Sequence, residues 1–434
     1  VSTVAIGIGA IVALVFLLVL GLEIAFSLAV VGVAGLWFLG GMPLVTGLLA
    51  TVPYSNVASF TLVVLPMFVL MGELAVAAGM AQQAYVSARA WLGRLPGGLM
   101  MTGIGASTVF AAVSGSSVAA TVTIGRASIG EMRRYGYHGG LAAGTVAVAG
   151  TLAALIPPSA LAVFYALIVN QSISRMLMAG LVPGLLSAAL FVVTAYLVAR
   201  WRPDLAPLVR ERVGWTERLS SLRMTAPFGT LVLVVLGGIY SGLATATEAA
   251  AFGALAALGL VALSGKLTWP ALRQALSATA RTSCMIFLII IGGMLFSRFM
   301  AFSGIPLALT DFIRALDVSP LAVVVVMMLI LAVLGMFVDP VGMIMLTLPF
   351  FFPIVKDLGL DPIWFGVLIV LQAELGVITP PIGVHLFVVK QIVPDVPLTS
   401  IILGTLPYMA CQVLIIALVI AFPDIALWLP NQMR

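Results

Sequence analysis

The chain has 434 residues, of which 62% are hydrophobic and only 8% charged. A soluble domain cannot bury so large an apolar fraction, so the composition excludes a soluble globular protein and points to a polytopic, all-α membrane protein in a lipid bilayer. The net charge of +5 is not a sign of nucleic-acid affinity, because the basic residues gather at one membrane face.

Residues 4–22 and 24–40 read as two apolar segments separated by Glu23, and 41–57 as a connection bearing Gly, Pro and Ser. The N-terminus shows no basic region or small-residue cleavage site, so the first apolar run is expected to stay in the protein. Residues 58–78 form a third span carrying Glu73, and 80–94 an interfacial arm with Gln82, Gln83, Arg89 and Arg94. Residues 97–131 then hold two apolar arms joined by Ser114-Gly115-Ser116-Ser117, with basic residues at both outer ends. Each arm is too short to span, so the segment reads as a re-entrant hairpin with a polar tip at depth. Non-helical backbone there is tolerated only where protein buries it or it lines a watery cavity. Residues 138–169 are long enough to cross but are interrupted at Ile156-Pro157-Pro158-Ser159, and 174–199 complete the first half.

Residues 200–224 are the only long hydrophilic stretch and read as a cytoplasmic linker. The plan then recurs, with spans at 226–243, 245–264 and 281–302, an arm at 305–318 and a second hairpin at 320–355 whose tip is Asp339-Pro340. A broken helix at 361–390 carries Thr379-Pro380-Pro381, and a last span covers 398–422. A shift of 223 residues carries Ser116 onto Asp339 and Pro157-Pro158 onto Pro380-Pro381. Residues 1–200 and 225–434 therefore read as two repeats of five spans each, each with a hairpin and a broken helix. Five is odd, so the second must be inverted relative to the first. With the linker inside, every Lys and Arg except Arg175, Arg298, Arg314, Lys356 and Arg434 lies inside, which places both termini in the periplasm.

Paired interruptions in corresponding halves point to the binding site of a secondary transporter. Prolines lack N–H groups, so Pro157-Pro158 and Pro380-Pro381 leave carbonyls without helical partners. With Ser114, Ser116, Ser117, Asp339 and Thr379 these carbonyls form an oxygen-rich centre suited to a hard cation such as sodium. Two cation sites would flank one site for a carboxylate-bearing solute. Asp339 before Pro340 is also an ordinary helix N-cap, and Ser114 or Ser116 can cap in the same way. Glu374 reads as a structural group that orients the second break or faces a neighbouring helix. His385 is either a solute or proton contact or a packing residue. Cys284 and Cys411 have no pairing pattern. Gly265-Lys266-Leu267 lacks the spacing of a phosphate loop, and no metalloprotease or nucleophile-elbow motif occurs. These absences argue against an ATP-driven pump and against an enzyme, and a channel would not require paired hairpins.

The two tips, together with Gly376-Val377-Ile378-Thr379-Pro380-Pro381-Ile382-Gly383, resemble the large membrane subunit of TRAP transporters over essentially the whole chain. The resemblance implies a sodium-coupled elevator in the bacterial inner membrane that imports organic acids such as C4-dicarboxylates or sialic acids. It also implies a small four-helix membrane subunit and a periplasmic solute-binding receptor. A self-sufficient sodium–dicarboxylate symporter without a receptor is the alternative. On this reading sodium is held by Ser114, Gly115, Ser116, Asp339, Gly376, Thr379 and Pro380. The solute is held by Ser116, Ser117, Ser159, Gly383 and His385.

Overall fold

The computed structural model describes residues 2–209 and 214–433; Val1, Arg434 and the linker residues Arg210, Glu211, Arg212 and Val213 lie outside them. Every element among the described residues is helical. The chain runs through α1 (Thr3–Val19), α2 (Ile24–Val57), α3 (Val64–Ala77, preceded by a 3-10 turn), α4 (Met80–Leu92), α5 (Gly98–Ser114), α6 (Ser117–Arg134), α7 (Gly139–Thr151), α8 (Ala160–Ile168) and α9 (Ile173–Trp201). After the linker come α10 (Trp215–Val232), α11 (Gly238–Tyr240), α12 (Ala246–Leu263), α13 (Trp269–Ser303), α14 (Ile305–Ala315), α15 (Pro320–Gly335) and α16 (Pro340–Asp357). The chain closes with α17 (Pro362–Gly376), α18 (Val384–Ile392), α19 (Leu398–Ala421) and α20 (Asp424–Leu427). Eight of the described helical segments are long and apolar enough to cross a membrane.

Two stretches expected to be irregular are helical. Residues 41–57 belong to α2, whose only non-helical backbone is at Gly41 (φ 68°, ψ −171°). Pro43 then falls in the first turn beyond that kink, where a missing N–H is harmless. The polar residues that suggested a loop return their hydroxyls to the helix: Thr46 donates to the Met42 carbonyl at 3.0 Å and Thr51 to that of Gly47 at 2.9 Å. Likewise the expected linker ends early, because α10 begins at Trp215. Its charge is absorbed by packing on α4: the Arg218 Nε donates to the Ala90 carbonyl at 3.2 Å, and the guanidinium lies 5.1 Å from the Trp215 ring centre.

The bounds of α6, shifted by 223 residues, become those of α16, and the first residue of α7 becomes that of α17. In space the helices form two packed groups. In one, α2 lies against α13 and α3 against α12. The α2–α13 contact is backbone to backbone: a Cβ on Gly292 would sit 2.3 Å from the Ala25 carbonyl oxygen, and one on Gly32 2.7 Å from the Phe296 nitrogen. Small residues at such crossings let membrane helices approach closely. In the other group, the first hairpin (α5–α6) packs on α7 and α9, the second (α15–α16) on α17, and the broken helices (α7–α8, α17–α18) on α9 and α19. Arg133 of α6 forms a two-pronged pair with Asp395, which follows α18, at 3.1 and 2.5 Å, tying the first hairpin to the second broken helix. Arg133 holds the Asp395 carboxyl below the usual carboxylate range.

Candidate functional site

The first tip is built around a backbone that only glycine adopts readily. Gly115 ends α5 in the left-handed region (φ 60°), and a Cβ there would lie 2.5 Å from the Pro158 carbonyl oxygen. The Gly115 carbonyl in turn accepts from the Ala160 N–H at 3.3 Å, so the tip and the first break are stitched together. Ser116 caps α6 by accepting from the Ala119 N–H at 3.3 Å. The Ser114 hydroxyl is buried and has no partner among the described residues. A buried donor left unpaired costs about 1–3 kcal/mol, and this one stands in the wall of a cavity.

The second tip makes the equivalent contact by a different route. Gly335, the last residue of α15, meets Gly376, the last of α17: a Cβ on Gly376 would sit 2.6 Å from the Gly335 oxygen and 2.7 Å from its Cα. The Met336 carbonyl accepts from the Ile382 N–H at 3.3 Å. Asp339 caps α16, with one carboxylate oxygen accepting from the Gly342 N–H at 3.0 Å.

The two tips face one cavity of about 250 Å3, lined by Ser114–Ala119, by Asp339–Val341 and by residues flanking both breaks. Phe68 and Glu73 of α3 and Thr282 of α13 complete its wall from the other helix group. Three carboxylates border it, those of Glu73, Asp339 and Glu374, and no Lys, Arg or His lies among its described lining residues. Glu374 is 1% exposed, approaches Ser117 of the first tip, and leaves one carboxylate oxygen without a partner among the described residues. A carboxylate at membrane depth costs roughly 2.5–3.5 kcal/mol each on insertion scales. Clustering three around one cavity is therefore hard to explain by packing.

The predicted residues separate into those at the cavity and those behind it. Ser114, Gly115, Ser116, Ser117 and Asp339 line it. Ser159, Gly376, Thr379, Pro380, Gly383 and His385 are not among its described lining residues. Ser159 accepts from the Ala162 N–H at 3.1 Å and donates to the Ala154 carbonyl at 2.5 Å, joining the two ends of the first break. Thr379 donates to the Leu375 carbonyl at 2.6 Å. Gly383 holds φ 53° at the start of α18. The fully buried His385 ring sets Nδ1 3.0 Å from the Ala147 carbonyl and 3.3 Å from the Thr121 hydroxyl, while its backbone N–H bonds the Val377 carbonyl across the second break. Glu374, by contrast, was expected to be structural and stands in the cavity wall. Its position one turn before a helix break was the available signal.

Residues 11–425 match the family described as tripartite ATP-independent periplasmic transporter, DctM component. The chain is 35% identical over 373 residues to the C4-dicarboxylate TRAP transporter large permease protein DctM of Pseudomonas aeruginosa, covering 86% of each chain. It is 32% identical over 418 residues to the sialic acid TRAP transporter large permease protein SiaM of Vibrio cholerae, covering 96% of each. Among solved structures, the YdaH transporter of Alcanivorax borkumensis superposes with a TM-score of 0.62 at 16% identity, over 88% of each chain, a likeness of fold.

Proposed function

This chain belongs to the DctM component family of tripartite ATP-independent periplasmic transporters, and from that premise we propose that it is the subunit that carries an organic acid across the inner membrane together with sodium. The observation that carries the sodium assignment is the acid-only cavity between the two tips. Like charges in a poorly screened interior repel strongly, by about 4 kcal/mol for a pair at 4 Å and an effective dielectric of 20. An anionic solute therefore enters this cavity only once cations have neutralised its wall. Asp339, Glu374, Ser114, Ser117 and Thr282 offer oxygen, the donor type that hard cations prefer. With the cations in place, the solute carboxylate meets a positive surface, and uptake is tied to sodium.

The two packed groups give this coupling a mechanical form. The group containing both hairpins and both broken helices moves as a transport body, and the α2–α3–α12–α13 group stays fixed beside it as the scaffold of an elevator. The two halves, related by the 223-residue shift, are inverted repeats with both termini outside. A small four-helix membrane subunit packs on the scaffold, and a periplasmic receptor delivers the solute. The relatives named for C4-dicarboxylate and sialic acid transport support a carboxylate cargo.

The test is reconstitution of the chain with the small subunit and the receptor, using labelled succinate and sialic acid as probes, followed by omission of one component at a time. Uptake should vanish without a sodium gradient and without the receptor. Undiminished uptake in the absence of the receptor would establish the self-sufficient symporter instead. Undiminished uptake without sodium would overturn the coupling.

A further inference from the structure

A second polar cavity, of about 570 Å3, has the opposite electrostatic character to the acidic one. Asn56 lines it from the last turn of α2, Ser59 from the connection to α3, Asn170 and Gln171 from the turn between α8 and α9, and Arg298 from α13. Arg298 is the only charged group among its described lining residues. The guanidinium has no ion pair or hydrogen bond with any described residue, whereas the other basic groups nearby are engaged: Arg314 is bonded to Asp357, and the Lys356 ammonium lies 4.7 Å from the Phe352 ring centre. An arginine five residues inside the end of a 35-residue membrane helix is costly unless it faces water or an anion. Here the exposed side chain lies at a pocket whose polar lining is amides and hydroxyls and whose remaining lining is apolar.

The two cavities sit at different levels of the same helix. Thr282 lines the acidic one and Arg298 the other, sixteen residues apart on α13, or about 24 Å along its axis. A guanidinium binds a carboxylate through two parallel N–H donors, and the side-chain amides and hydroxyls around it supply further donors. We infer that the cavity around Arg298 is an outer solute site, in which the carboxylate of the cargo is held by Arg298 before it passes to the acidic cavity. The site draws the anion without sodium, and only the second, acidic site demands it. This inference rests on the transport reading above and on the orientation that places this end of α13 outside.

The test measures charge preference rather than transport. In a Cys284→Ser/Cys411→Ser background, Thr61→Cys places a thiol in the cavity wall. Its reaction rates with the anionic 2-sulfonatoethyl and the cationic 2-trimethylammonioethyl methanethiosulfonates are compared in right-side-out vesicles. With Arg298 present the anionic reagent should be favoured relative to a free thiol in solution, and 1 M salt should erase most of that preference. Arg298→Gln should lower the anion-to-cation ratio by roughly fivefold or more at low salt, and Arg298→Lys should largely keep it. A ratio unchanged by Arg298→Gln, a preference insensitive to salt, or a thiol that reacts from neither side would overturn the outer site. A thiol that keeps the charge preference but reacts only in inside-out vesicles would instead show that the orientation is reversed, leaving Arg298 on the release side.

Discussion

Asp339→Asn should leave the protein folded and raise the sodium concentration for half-maximal uptake about tenfold or more, the equivalent of about 1.4 kcal/mol. The structure assigns Asp339 one visible task, capping α16 through the Gly342 N–H. Asparagine caps helices about as well as aspartate, so a capping role alone predicts normal abundance and normal uptake. The charge is a separate matter. Asp339 shares the cavity with Glu73 and Glu374, with no basic residue among the described lining to offset them. Removing one of three carboxylates weakens cation binding without disturbing the cap. The measurement is sodium-dependent uptake at matched membrane abundance. An unchanged sodium midpoint and Hill slope would reduce Asp339 to a cap.

Gly376→Ala should destabilise the protein by roughly 1–3 kcal/mol, as expected for forcing atoms into a well-packed interior. The added Cβ would lie within 2.7 Å of the Gly335 oxygen, carbonyl carbon and Cα. All three are backbone atoms, so no side chain can rotate away, and the second hairpin must move off α17. Gly130→Ala is the matched control. Gly130 is exposed on α6, an added Cβ there would meet nothing within 4 Å, and alanine is the better helix former. Thermal unfolding in detergent should show a clear loss for Gly376→Ala and none for Gly130→Ala. Equal stability of the two would mean that the contact between Gly335 and Gly376 does not hold the second tip in place.

The helix interruptions are readable in the amino-acid sequence because each is written in residues that serve poorly inside an apolar helix. Ser-Gly-Ser-Ser, Asp-Pro and the two proline pairs have few other uses there, and the structure interrupts its helices at those places. What cannot be read is where each polar side chain spends its hydrogen bonds. Ser159 and Thr379 look like ligands in sequence, yet both return their hydroxyls to carbonyls of the preceding helix end. His385 looks like a solute contact and is instead fitted between α6 and α7. Residues 41–57 look like a loop, because hydroxyls that bond their own helix are indistinguishable in sequence from hydroxyls that face water. Glu374 errs in the other direction. Its place one turn before a break is visible in the sequence, but that it shares a cavity wall with Ser117 of the first tip is a tertiary fact.

Sodium binding in the acidic cavity between the tips is read by equilibrium binding of radioactive sodium to the purified chain. The wild-type protein should bind sodium saturably, and binding should weaken in Asp339→Asn and in Glu374→Gln, with both variants still folded. Absence of saturable binding at sodium concentrations that support uptake, or binding indifferent to both substitutions, would contradict it.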